Sequence, residues 1–184
     1  PRFVDQAAEL GWSRSMDAMG IDSADLNGDG LLDYCVTLMG PPLCFISLPS
    51  GAGFYESGPA LGLADPEGFG PVIGWGLELA DLDNDGELDL IQASGPSFAM
   101  GDGDGSPQPM PDLLFHGQPG GGFVESGALA HFDRTDNHLG LVTADLDGDG
   151  ALEIVVGGPG APPLLYMNRC SAEAWVEVAP RGLP

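Results

Sequence analysis

Short apolar runs punctuated by glycine, proline and aspartate recur along the chain: YCVTLM (34–39), LCFISL (43–48), LIQAS (90–94), DLLFHG (112–117), IVVGG (154–158) and PLLYMN (163–168). They are rich in β-branched and aromatic residues and too short for helices, so they predict strands. No stretch carries a convincing helical period. A further pattern, GAGFYESG (51–58) and GGGFVESG (120–127), follows the second run in the first two sets and predicts a glycine turn leading into another strand.

Each set is preceded by a polar segment, and the three polar segments align without gaps. They are GIDSADLNGDGLLD (20–33), GLELADLDNDGELD (76–89) and GLVTADLDGDGALE (140–153), spaced 56 and 64 residues apart. A repeat at such a period signals blades, solenoids or arrays. Each unit reads strand, acidic loop, strand, hairpin, strand, glycine turn, strand, which is the pattern of an antiparallel four-stranded β-propeller blade. The expected fold is therefore all-β, with three blades at residues 14–66, 67–131 and 132–184. RFVDQAAELG (2–11) matches GFYESGPALG (53–62), so residues 1–13 are expected to supply the last strand of a preceding or closing blade. The third unit departs from the pattern, because NRCSAEAWVEV (168–178) replaces the Gly-Phe segment.

The chain has 184 residues, enough for one domain with a core, and its 30 glycines and 17 prolines suit many tight turns. Against 28 acidic residues stand five arginines and no lysine, giving a net charge of −23. That balance excludes nucleic acid and anionic membrane surfaces as partners, since both need a basic footprint, and it favours cations. No apolar run is long enough for a transmembrane helix, so no membrane insertion is expected. The opening PRFVDQAAELGW is neither a signal peptide nor a targeting sequence, so any export signal is expected to have been removed or never present. Cys35, Cys44 and Cys170 have no metal-type spacing. A turn at Met39-Gly40 would set Cys35 opposite Cys44, where a disulfide and a pair of small buried hydrophobes are both open.

DLDNDGELD (81–89) crowds five carboxylates into nine residues. Two like charges about 4 Å apart repel by roughly 4 kcal/mol at an effective dielectric near 20. A hard cation relieves this. Calcium takes oxygen ligands, and a short loop wraps it when carboxylates alternate around a glycine turn. Side-chain oxygens fall at loop positions 1, 3, 5 and 9, with glycine at 6 and a backbone carbonyl expected from position 7. The three candidate sites are Asp25, Asn27, Asp29 and Asp33 with the Leu31 carbonyl; Asp81, Asp83, Asp85 and Asp89 with Glu87; and Asp145, Asp147, Asp149 and Glu153 with Ala151. Asn27 makes the first one charge poorer and so the weakest expected binder, and Glu153 brings a longer arm to the third. Magnesium's demand for tight octahedral geometry makes calcium the expected ion, three per chain. An EF-hand is rejected: position 12 is Val36, Gln92 and Val156 rather than glutamate, and the flanks are strand-like. Three solvated acidic turns would not explain the shared alternation.

GWGLELADLDNDGELDLI (74–91) and GGGFVES (120–126) resemble the FG-GAP/VCBS repeat family, the calcium-loop repeats of integrin α-subunit-type β-propellers. The resemblance covers nearly the whole chain. It implies one calcium loop between the first two strands of each blade, an exported or cell-surface location (secreted or periplasmic), and recognition or adhesion of a protein or glycan more often than catalysis. The alternatives are a non-catalytic accessory propeller of a secreted polysaccharide- or lipid-degrading enzyme, or a lectin. Known propellers use about four to eight blades, so three blades imply either part of a longer chain, which is preferred, or a homodimer completing a six-bladed ring. In the latter case residues 2–11 could close a partner's last blade.

No catalytic set is expected, and the chain is read as a non-enzyme. His116, His131 and His138 are few and scattered, and Cys170 has no base beside it. HFDRTDNH (131–138) reads as a solvated loop, with a transition-metal or substrate site as the lesser reading. The insertion SGPSFAMGDGDGSPQPMPD (94–112) is the candidate partner-contacting loop, and its Gly-Asp-Gly-Asp-Gly core could take a cation. Trp12, Trp75 and Trp175 read as packing aromatics more readily than as sugar platforms.

Overall fold

The computed structural model of the chain describes residues 2–96, 109–160 and 162–169. They form antiparallel β-sheets, three of which each draw their strands from one repeat unit. The first sheet has the order β1 (Ile21–Ala24), β2 (Asp33–Leu38), β3 (Gly40–Ser47), β4 (Phe54–Glu56). The second follows the same plan with β5 (Gly74–Ala80) and β6 (Asp89–Ser94), then β8 (Leu113–Gly117) and β9 (Phe123–Glu125). The third contains β11 (Gly140–Ala144), β12 (Glu153–Gly157) and β13 (Leu164–Tyr166). Between the second and third, β7 (Met110–Pro111) pairs with β10 (Thr135–Asp136). Among the described residues no sheet closes on itself, and the only helical segments are 3-10 turns at Pro49–Gly51 and Pro59–Leu61.

Side-chain alternation along β6 and β8 decides how the sheets stack. Leu90, Leu113 and Phe115 enter a core with Cys35, Cys44 and Leu77, whereas Ile91 and Leu114 enter another with Phe132, Ile154 and Val156. The second sheet is thus buried on both faces. Fully burying each such side chain contributes about 1.5–3 kcal/mol. The other side of the first sheet is covered by Trp12, whose ring lies 5.0 Å from Tyr34, 5.5 Å from Phe45 and 5.2 Å from Phe54.

The glycine that opens each repeat explains the close approach between sheets. A Cβ on Gly20 would lie 2.0 Å from the Trp75 carbonyl oxygen, and one on Gly76 would lie 2.8 Å from the Leu141 Cβ. The opening strand of each unit therefore lies against the opening strand of the next, and Asp22 fastens the first such contact by accepting the Leu79 N–H at 2.8 Å. A Cβ on Gly140, by contrast, meets nothing nearer than 3.8 Å.

Cys35 and Cys44 are directly paired across β2 and β3 and form a disulfide, with Cα atoms 4.0 Å apart. Of the two readings left open by the sequence, the hairpin register selects the covalent one. Residues 2–6 pair with no sheet among the described residues, and Phe3 is 96% exposed; the blade that residues 1–13 are expected to complete is not among them. The turn that follows is nevertheless that of a fourth strand: the Gln6 carbonyl accepts the Leu10 N–H as those of Ser57 and Ser126 accept Leu61 and Ala130. The local sequence makes the turn, but a strand also needs a neighbour. One expectation needs correction: HFDRTDNH is not wholly a solvated loop, because His138 is 2% exposed. The Gly-Asp-Gly-Asp-Gly segment, Cys170 and Trp175 lie outside the described residues.

Candidate metal centre

The three acidic loops fold alike because their carboxylates organise their own backbone. The position 1 aspartate accepts two loop N–H groups in each: Asp25 from Asp29 and Gly30 (3.1 and 2.8 Å), Asp81 from Asp85 and Gly86 (3.0 and 2.9 Å), Asp145 from Gly148 and Gly150 (2.7 and 3.0 Å). These donors, that of Gly30 foremost, hold the Asp25 carboxyl below its ordinary pKa. Position 5 accepts the N–H of position 7, from Leu31 to Asp29, Glu87 to Asp85 and Ala151 to Asp149, at 2.8, 2.8 and 2.9 Å. Gly30, Gly86 and Gly150 at position 6 have φ of +85°, +93° and +88°, which side chains resist. Position 4 is left-handed as well, and Gly28, Asn84 and Gly148 meet that need.

Position 9 does a different job from the others. Asp33, Asp89 and Glu153 start β2, β6 and β12, are 0%, 3% and 0% exposed, and reach back to the N–H of position 2 (Leu26, Leu82, Leu146) at 3.0, 3.0 and 2.8 Å. Asp33 also accepts the Ser47 N–H at 2.7 Å, and Asp89 the Gly117 N–H at 2.8 Å. Each clamps its loop shut, two of them against the third strand.

Two loops draw ligand atoms together. In the third, Asp145, Asp147 and Glu153 each offer an oxygen within 4.8 Å of the others. One buried oxygen of Glu153, Oε1, has no hydrogen-bond partner. In the second, Asp83 and Asp85 converge within the same limit, and the third member is His116 from β8. Burial above all, then the neighbouring Asp85 and Asp89 charges, raises the Asp83 pKa. Asp81, Asp89 and Asp149 stand outside these trios. The first loop, with Asn27 at position 3, forms no such trio.

The loops share one rim. Asn84 donates to the Gly150 carbonyl at 3.1 Å, joining the second loop to the third. A cleft of about 290 Å³ runs between Asp25–Gly28 of the first loop and Gly86–Leu88 of the second, floored by the turn at 117–123.

Other candidates find plainer roles. Trp12 packs in its aromatic cluster, and Trp75 donates its indole N–H to the Gly95 carbonyl at 2.9 Å. Two histidines that look scattered in the sequence gain carboxylate partners in the fold. His138 meets Asp112 at 2.6 Å in the interior, and His116 sits one residue beyond the Leu90–Phe115 pair, beside Asp89. Among the described residues no helix is long and apolar enough to cross a membrane.

No family model matches the chain. A stretch of 59 residues, 32% of the chain, is 40% identical to Cartilage acidic protein 1 of Mus musculus, and it spans 9% of that protein's length.

Proposed function

We propose that the chain is a set of calcium-binding β-propeller blades of the FG-GAP/VCBS, integrin-like kind, with calcium in a structural role and extracellular recognition or adhesion as the task. The observation that carries the calcium reading is Glu153: a fully buried carboxylate with one oxygen unpartnered, converging with Asp145 and Asp147 on one point. Burying a carboxylate without a partner for its oxygens is costly, and a cation at that point supplies the partner. Asp145, Asp147, Asp149 and Glu153 would hold calcium in the third loop, Asp81, Asp83, Asp85 and Asp89 in the second, and Asp25, Asn27, Asp29 and Asp33 in the first. The ion's chemistry is charge neutralisation that ties each loop to the strands it joins.

Support for blades comes from the repeated strand order and from opening strands packed on one another through Gly20 and Gly76, the arrangement expected of strands nearest a propeller axis. An extracellular setting agrees with the disulfide, which persists in oxidising compartments, and with partial likeness to a protein named for cartilage and acidity. Loops that bind at roughly 0.1–1 mM suit calcium-rich surroundings.

The test is thermal or urea unfolding in millimolar calcium and in excess EDTA, with light scattering in both. Each independent site held at one hundred times its dissociation constant adds about 2.7 kcal/mol. A melting temperature that rises with calcium and falls with chelator supports the reading, and identical unfolding in both buffers rejects it.

A further inference from the structure

We propose that the second acidic loop is a mixed nitrogen–oxygen site that takes a borderline divalent cation of the zinc class through His116, Asp83 and Asp85. This rests on the metal-loop reading at one of its three loops and goes beyond it, because zinc would compete with calcium there for Asp83 and Asp85.

The argument begins with register. The residue opposite position 9 on the third strand is Ile46 in the first sheet, Met167 in the third and His116 in the second. Only the second loop is thereby given an imidazole. Asp89 fixes how that imidazole points: its Oδ1 accepts the Gly117 N–H at 2.8 Å and lies 2.9 Å from the His116 Nδ1, while its Oδ2 accepts the Leu82 N–H. An ionised carboxylate can only accept, so Nδ1 carries the proton, and in the neutral ring the lone pair lies on Nε2. Nε2 is 3.9 Å from the Asp83 Oδ2, and Asp85 completes the trio within 4.8 Å.

A carboxylate holding one ring nitrogen while the other faces further ligands is the usual support of a metal-binding histidine. Zinc bonds of about 2.0–2.2 Å place tetrahedral ligand atoms about 3.4 Å apart, so only a small inward movement is needed. Calcium gains little from a nitrogen donor, whereas imidazole suits zinc and its neighbours. His116 is 36% exposed in its side chain, which leaves the site open to an entering ion and to a water ligand.

The experiment titrates zinc into the calcium-free full chain by calorimetry, and again with calcium added as competitor, alongside His116→Ile, which copies the first sheet. Histidine ring nitrogen resonances are followed by NMR. Expected are one zinc per chain, a shift of the His116 Nε2 signal, and binding weakened about tenfold or more in His116→Ile. Equal zinc binding by the two proteins, or an unmoved His116 signal, overturns the proposal. Calcium uptake by both proteins is measured separately. Calcium bound without histidine-dependent zinc refutes this inference alone, whereas no calcium uptake in either protein refutes the broader reading instead.

Discussion

The Asp112 carboxylate and the His138 imidazole meet at 2.6 Å between the second and third sheets, with side chains 0% and 2% exposed. Burial pushes the Asp112 pKa up to about 6, against the smaller downward pulls of the Ser94 N–H and of His138. Between its ordinary value of 3.8 and about 6 the folded state therefore binds more protons than the unfolded state. Stability from this group is fully present below that window and declines as pH rises through it. Urea midpoints of the natural protein minus those of Asp112→Asn should fall from pH 4 to pH 6 and level off above. A flat difference would refute the assignment.

Close packing at the opening glycines makes a graded prediction. Gly20→Ala and Gly76→Ala place a methyl against the Trp75 carbonyl and the Leu141 side chain, and each should destabilise by about 1–3 kcal/mol as overpacking does. Gly140→Ala has room, and chemical denaturation should find it within about 0.5 kcal/mol of the parent, as for ordinary surface changes.

Cys35–Cys44 closes a loop with a sequence separation of nine residues. In the chain-entropy view such a loop is worth about 2–3 kcal/mol. The Cys35→Ala/Cys44→Ala double variant should lose roughly that in urea unfolding. Reductant should lower the midpoint of the natural protein and leave the variant unmoved.

Asp33 serves the backbone as well as any ion. Asp33→Asn presents an NH2 group to one of the two amides it now accepts, from Leu26 and Ser47. A loss of about 1–3 kcal/mol should therefore persist in EDTA, where calcium binding plays no part. Complete recovery of the parent's stability in EDTA would show that position 9 matters only through metal.

The strand order and the loop positions were legible in the sequence because both are local: alternation, glycine turns and spaced carboxylates act within about ten residues. What escaped depends on partners. Residues 2–6 carry a fourth-strand pattern, and the strand they would pair with is not among the described residues. His138 reads as part of a polar loop until Asp112, 26 residues earlier in the chain, is brought against it. His116 joins the second loop only through the pairing of β6 with β8, which runs across the insertion. The facing of Cys35 and Cys44 was legible from the turn between them, and the hairpin settles only that the pair is a disulfide. Position 9 was read as a ligand like the others, but its burial at the strand start makes it a clamp first.

Neighbouring residues Leu90 and Ile91 face separate cores, and that sets an order of disassembly. The first and third sheets can each loosen while the middle one keeps a packed face on the opposite side, but the middle one cannot open without exposing both cores. Its central amides should be the last to exchange with solvent deuterium, and fraying should begin at the two flanking sheets.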